Sequence, residues 1–281
     1  MLQRTRSQFY RRWLLGWLGF LGTLLIAACG LGPDSQIVSS PGAQTSNPTA
    51  SVLRIALDPD FPPFEMKTSD GTLTGFDVDL INAIGGTAGF LIDFNEMSFD
   101  DVIRSLYAGE TDAAISAITI NPDRLAKVSF SRPYFKSGLG IAVAADNADL
   151  TSLESLRGRR ISVQRGTTSE AKALSVPDAK IRQVNEAPEA LQALAQGQVD
   201  AVINDVPVTD YAIRSGAVSG IKQVGGLLSE EFYGIATPKD SPNLEKINVG
   251  LTTLLSNGTY AQIYQKWFAT EPPALPETIP L

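Results

Sequence analysis

Sixteen mostly apolar residues from Trp13 form the longest hydrophobic run in the chain. At about 20 residues per bilayer crossing, that run is too short to span comfortably. From residue 30 to 52 the sequence is Gly, Pro, Ser, Thr and Asn with almost nothing to bury, the composition of a flexible tether. Between 53 and 270, short β-branched runs alternate with amphipathic stretches. The runs predict strands near 53–57, 90–94, 112–115, 160–164, 180–184 and 199–203. Helices are signalled between them. Ser98 with Asp101 makes an N-terminal capping box ahead of Val102, Leu106 and Tyr107. A helix after Ser241 takes Pro242 as its first residue, repeats Leu244, Ile247, Leu251, Leu254 and Leu255, and stops at Asn257-Gly258. Tyr260, Ile263, Tyr264, Trp267 and Phe268 then recur at three- and four-residue spacing, as a stripe packed on a core does. Prolines at 272, 273, 276 and 280 rule out regular hydrogen-bonded structure, so 271–281 is expected to be a disordered tail. Alternation of strand and helix indicates an α/β fold.

Charge and chemistry sharpen the picture at the N-terminus. Residues 1–28 carry four arginines, no acid, the apolar run and small residues at its end, which reads as a secretory signal peptide. Ile26-Ala27-Ala28-Cys29 resembles the lipobox of bacterial lipoproteins, which implies a mature chain beginning at a lipidated Cys29, with 29–52 as its tether. The alternative is an uncleaved anchor helix followed by an ordinary buried cysteine. Arg11-Arg12-Trp13-Leu14-Leu15 also resembles a twin-arginine export signal. Both export routes place the protein on the outer side of the membrane. Taking the four leader arginines from the 23 basic residues leaves 19 against 30 acidic, a mature charge of −11. That balance argues against nucleic acid as a partner. Cys29 is the sole cysteine, so no disulfide can form and stability rests on a core. The chain has no histidine. That excludes Ser-His-Asp and Cys-His catalysis and His-metal sites, and no cofactor is expected.

Six motif segments then follow in order. Asp58-Pro59-Asp60-Phe61-Pro62-Pro63-Phe64-Glu65 closes the first strand in a proline-stiffened loop, and Gly75-Phe76-Asp77-Val78-Asp79-Leu80 opens a helix. Ile118-Thr119-Ile120-Asn121-Pro122-Asp123-Arg124 precedes Phe130-Ser131-Arg132-Pro133-Tyr134-Phe135, and the chain later reads Asn257-Gly258-Thr259-Tyr260 and Tyr264-Gln265-Lys266-Trp267-Phe268. From about Leu53 to Ala269 this resembles the periplasmic amino-acid-binding proteins of ABC importers, solute-binding protein family 3. The resemblance implies two Rossmann-like α/β lobes joined by two hinge strands, with a ligand enclosed between them. Lobe 1 would comprise 53–136 and 234–270, and lobe 2 137–233. Crossings are expected near 137–144 and 233–237, where the sequence is small, extended and uncharged. Gly85-Gly86, where a helix former is expected, leaves the end of that helix open.

The chemistry of an amino-acid cleft assigns roles to particular residues. A zwitterion withdrawn from water needs a planar cation for its carboxylate and an anion for its ammonium, because an unpaired buried charge costs several kcal/mol. Arg124 matches the family's carboxylate-binding arginine and supplies a bidentate fork. Asp205, in Asp200-Ala201-Val202-Ile203-Asn204-Asp205-Val206-Pro207, matches its ammonium-binding aspartate. In isolation either would be read as a surface salt-bridge residue. Thr167 and Thr168 lie where Gln164-Arg165-Gly166 passes from strand to helix, so free backbone N–H groups there would face the carboxylate, unless Thr168 or Ser169 is only an N-cap. Thr119 and the carbonyl of Ala117 would bond the ammonium as the family's equivalents do. Phe61 and Phe99 match the aromatic positions that sandwich the ligand side chain. Asp58, Ser116, Gln164 and Asn204 match the side-chain pocket. With Arg124 and Asp205 balancing the zwitterion, Asp58 is a spare negative charge, which favours a basic amino acid, with glutamine or another polar one next.

The leading expectation is a membrane-tethered receptor that hands a polar or basic amino acid to ABC permease subunits, without catalysis. A competitor of another class is an exported dehydratase, since enzymes making aromatic amino-acid precursors share this fold; lacking histidine, it would depend on Glu65, Asp58 or a lysine. A third is a ligand-sensing receptor domain. Such a receptor would be expected to add a transmembrane helix or a second catalytic domain, where this sequence reads as a proline-rich tail.

Overall fold

The computed structural model describes residues 51–279. The predicted leader 1–28, the lipidation site Cys29 and the tether up to residue 50 lie outside the described residues.

Chain order is β1 (Ser51–Leu57), a hairpin of β2 (Met66–Lys67) and β3 (Leu73–Thr74), α1 (Phe76–Ala88), β4 (Phe90–Glu96), α2 (Phe99–Ala108), β5 (Ala113–Ala114), α3 (Pro122–Leu125), β6 (Ser129–Phe130) and β7 (Phe135–Ser137). Then come β8 (Leu139–Ala144), β9 (Arg160–Gln164), α4 (Thr168–Leu174), β10 (Lys180–Val184), α5 (Ala187–Ala195), β11 (Ala201–Asp205), α6 (Val206–Arg214) and β12 (Ile221–Val224). The chain closes with β13 (Glu231–Tyr233), β14 (Ala236–Thr237), α7 (Asn243–Asn257) and α8 (Thr259–Phe268). Two five-stranded sheets result, ordered β4-β1-β5-β14-β6 and β10-β9-β11-β8-β12. Each belongs to one α/β lobe. Both orders place consecutive parallel strands on either side of an inner one, and such crossovers leave a crevice at the strands' C-terminal ends. Asp58 follows β1, Ser116 comes two residues after β5, Gln164 ends β9 and Asp205 ends β11.

The first lobe buries α1, α7 and α8 over an aromatic cluster in which Phe64, Phe76, Phe135, Tyr233 and Phe268 meet with ring centroids 4.8–6.1 Å apart. Tyr260, Tyr264 and Phe268 of the predicted stripe belong to this core, with Ile263 and Trp267 packed against it. The second lobe has a core on each face of its sheet. One is built on Leu139, Ile141, Val143, Ile161 and Ile203, the other on Leu191, Leu194 and Val202.

The lobes are linked through β7 and β13, an antiparallel pair in the register Ser137↔Glu231 to Phe135↔Tyr233. The crossings therefore start about two residues before the expected segments and share Ser137 and Tyr233 with them. The uncharged runs at 139–144 and 236–237 are strands of the two sheets, β8 and β14. Their small apolar residues serve burial, not the hinge. Two glycines allow the crossing: a Cβ at Gly138 would stand 2.3 Å from the Ser229 carbonyl oxygen, and one at Gly234 would stand 2.7 Å from Ile120 Cδ1.

Local signals held with small shifts. α1 runs through Gly85-Gly86 to a left-handed Gly89, and Gly85 packs on Ile92, where a Cβ would stand 3.0 Å from the side chain. Ser98 is the N-cap of α2, but its hydroxyl bonds the Asp101 carboxylate at 2.7 Å, so the capping box does not close on backbone N–H groups. Pro242 is the residue before α7, not its first. The tail 271–279 has no helix or strand, yet Leu275 packs on the first core where disorder is predicted from composition. A single leucine among prolines is enough to seat it.

Candidate functional site

The cleft is framed from both lobes by residues that each sheet delivers at a strand end or the turn after it. Phe61, Phe99, Ala117, Thr119 and Arg124 from one lobe face Gln164, Thr167, Thr168 and Asp205 from the other. The space they enclose is about 10 Å³, so an amino acid enters only when the lobes part. Bonds cross between the lobes here. Gln164 Nε2 donates to Asp58 Oδ2 at 2.8 Å, and Arg124 Nη2 donates to the Gly166 carbonyl at 3.2 Å.

Arg124 is placed by a short helix. Asn121 caps α3 by accepting from the Arg124 backbone N–H at 2.9 Å, with Pro122 at the start fixing its first turn. The side chain is buried, its Nη1 donates to the Thr119 carbonyl at 2.9 Å, and the guanidinium lies 5.3 Å over the Phe99 ring. Its acceptors are neutral carbonyls. Burial consequently lowers its pKa, while the charges of Glu231 and Asp205 oppose that shift. A cavity of about 590 Å³ adjoins this space, sharing Phe99, Arg124, Thr167 and Thr168 with it and extending to Arg104, Tyr107 and Lys127.

Asp205 ends β11 and accepts from the Tyr233 hydroxyl and, at 3.3 Å, from Ser137 Oγ. Burial and the nearby Glu231 charge push its carboxyl up to about 7. Asp58 is 2% exposed, and burial pushes it up to about 6. Its Oδ1 accepts from Asp60 N–H at 3.2 Å, so it caps its own loop while Oδ2 reaches Gln164. Gln164 Nε2 also bonds the Asn185 carbonyl, whereas its buried Oε1 has no donor among the described residues. Asp58 itself does not line the enclosed space; it stands behind Gln164, which does, and Gln164 Oε1 is left as a buried acceptor.

Thr167, not Thr168 or Ser169, is the N-cap of α4, its hydroxyl accepting from Glu170 N–H at 3.2 Å. Thr119 and Thr168 both donate to Glu231 Oε2, at 2.7 and 3.0 Å. Ser116 lies beneath the loop: it accepts from Asp58 N–H at 3.0 Å and donates to Glu65 Oε1 at 2.7 Å. Asn204 turns into its own lobe, with Nδ2 3.3 Å from Thr209 Oγ1. Those two line the supports of the cleft more than its surface.

Several contributors escaped the sequence. Ala117 has φ 46°, a conformation costly outside glycine, and its N–H is held at 2.8 Å by Asp77 Oδ2, which also accepts from the Tyr134 hydroxyl at 2.7 Å. Glu65 and Asp77 are fully buried neighbours. Burial pushes Asp77 up to about 7 and, with the Asp77 charge beside it, holds Glu65 well above the carboxylate range. Both acids stand inside motifs quoted above, but no pattern announces that they meet. Glu231 carries no motif at all.

A cleft with a buried cation on one lobe, a buried anion on the other and a paired hinge defines a two-lobed receptor that closes on a small solute. The model for bacterial extracellular solute-binding proteins, family 3, matches residues 53–270, and the chain belongs to that family. An arginine-binding periplasmic protein of Mannheimia haemolytica is 33% identical over 220 residues, covering 76% of this chain and 90% of that protein. A structure of an ancestral arginine-binding protein bound to arginine is 40% identical with TM-score 0.75, covering 78% of this chain and 99% of that one. An ancestral amino-acid-binding protein described as a precursor of cyclohexadienyl dehydratase is 37% identical with TM-score 0.72, covering 78% of this chain and 96% of that one.

Proposed function

We propose that this chain is a lipid-anchored, extracytoplasmic receptor that encloses a basic amino acid, arginine foremost, and delivers it to the permease of an ABC importer. The observation that carries this reading is the cross-lobe placement of Arg124 and Asp205 with Asp58 left over. Arg124 takes the α-carboxylate, Asp205 the α-ammonium, and Asp58 with Gln164 Oε1 accepts from a guanidinium at the far end. Phe61 and Phe99 flank the methylenes. Arginine-binding relatives support the same ligand class.

Calorimetry on the mature protein tests this. Arginine, lysine and histidine should bind more tightly than glutamine, and glutamate should not bind. The pH dependence follows from the raised carboxyls. Asp58 and Asp205 bind protons more readily folded than unfolded, so their contribution to the empty fold is greatest in acid and is lost as pH rises through about 6 and 7. A cationic ligand needs them ionised. Arginine affinity should therefore rise from pH 5 to pH 8, and binding at pH 6 should release protons to the buffer. Preference for an acidic or aliphatic amino acid would overturn the assignment.

The receptor reading involves no reaction. A dehydratase would place a proton donor against its substrate, and prephenate consumption by the purified protein would establish that alternative. Anchoring rests on Cys29. In its natural host, Cys29→Ser should abolish fatty-acid labelling and leave the precursor uncleaved; labelling that persists would show that Cys29 is not the acylated residue.

A further inference from the structure

Glu231 is the first residue of β13 and is 7% exposed, yet none of the salt bridges among the described residues includes it. Its partners are three hydroxyls. Oε2 accepts from Thr119 at 2.7 Å and Thr168 at 3.0 Å, and Oε1 accepts from Ser229 at 3.0 Å. Thr119 and Thr168 stand on opposite lobes.

We infer that Glu231 is a positioning residue that latches the lobes around the ligand and sets the polarity of the two threonines that frame the cleft. Thr119 is stitched to β13 by the backbone, Ile120 N–H to Phe232 O at 2.8 Å and Gly234 N–H to Ile118 O at 3.0 Å. That half of the arrangement stays with the first lobe. Thr168 begins α4 and moves with the second, so the Thr168–Glu231 bond, like Gln164–Asp58 and Arg124–Gly166, is made on closing and broken on opening. An ionised carboxylate only accepts, and a threonine hydroxyl has one proton and two lone pairs. With both protons committed to Glu231, the free sides of Thr119 and Thr168 are acceptors. Thr119 then suits an ammonium and cannot donate to a carboxylate, which leaves the carboxylate to Arg124. The Glu231 carboxylate, with Asp205, also favours the charged guanidinium of Arg124 against its burial. The latch thus acts on the α-ammonium and α-carboxylate that every amino acid shares, whereas Asp58 acts on the side chain.

The polarity argument rests on the amino-acid reading of the cleft; the latch does not. Small-angle scattering of the ligand-free mature protein tests the latch alone: Glu231→Gln and Thr168→Val should each lower the closed fraction. Stopped-flow dissociation tests the rest. Each variant should release arginine and glutamine about tenfold faster than the unmodified protein, by the same factor for both ligands, and the double variant should release them no faster than either single one. A residue that only supports the fold would instead show additive losses with Thr168→Val. Should Glu231→Gln not fold, Thr168→Val decides by itself, because it removes the moving partner and leaves Glu231 in place. An unchanged closed fraction with unchanged release, or additive effects, overturns the inference; a protein that binds no amino acid but loses closure in the variants overturns only the ligand.

Discussion

Alanine at Arg124 or at Asp205 should each lower amino-acid affinity by about two to four decades, because truncating one member of a buried charge pair costs about 3 to 5 kcal/mol and each decade is about 1.4 kcal/mol. The pair in question is protein with ligand, not protein with protein. In the closed protein Arg124 bonds only the carbonyls of Thr119 and Gly166, and Asp205 bonds only hydroxyls. Each is a buried charge awaiting a partner. Truncation removes hydrogen bonds but also the cost of keeping that charge from water, so the two terms oppose one another in the empty protein. The melting temperature without ligand should accordingly move by only about 2 to 4 °C, the shift of roughly 1 kcal/mol in a domain of this size. Calorimetry and a thermal melt separate the two readouts. Arg124→Lys is the sharper control: it keeps the charge and loses the fork, and should recover only part of the affinity. Less than a tenfold loss in both alanine variants would place the ligand outside this cleft.

What the sequence made legible follows from how local each feature is. Strands such as Arg160–Gln164 and Lys180–Val184 appear where their β-branched runs predict, because the pattern and the burial share one period. Arg124, Asp205, Phe61 and Phe99 could be assigned since each sits in a contiguous motif with its own backbone context. The expected crossings share Ser137 and Tyr233 with β7 and β13 but run on into β8 and β14, because small, uncharged residues suit a buried strand and a crossing equally well, and only pairing of β7 with β13 separates them. Glu231 was illegible for a stronger reason. Beside Glu230 it looks like one of two surface acids, and its burial arises from Thr119, more than a hundred residues upstream, and Thr168, sixty-three away. The Glu65–Asp77 pair is similar: its members meet only after the loop following β1 folds back over α1. Long-range convergence of polar groups leaves no period in the chain.

On the proposed reading selectivity turns on Asp58, and its two carboxylate oxygens already divide the competing roles. Oδ1 caps the loop through Asp60 N–H, as an aspartate before such a turn does, while Oδ2 crosses the cleft to Gln164. Asp58→Asn retains an Oδ1 for the cap but presents an N–H₂ group to Gln164 Nε2, another donor. Gln164 relieves that clash by turning its amide, which brings Oε1 to the introduced N–H₂ group and gives up the Asn185 carbonyl. The acceptor pair that would receive a guanidinium is lost in the same step. With the native carboxyl pushed up to about 6, measurement at pH 8 compares a fully charged Asp58 with a neutral amide. A hydrogen bond to a charged group is worth about 1.5 to 3 kcal/mol, so arginine should lose roughly one to two decades of affinity at pH 8. Glutamine, whose amide makes a neutral bond, should lose much less. The gap between the two ligands should also narrow in the unmodified protein as pH falls through 6, since protonation of Asp58 imitates the substitution. Equal losses for arginine and glutamine would assign Asp58 to the loop alone and leave the preference for a basic side chain without a physical cause.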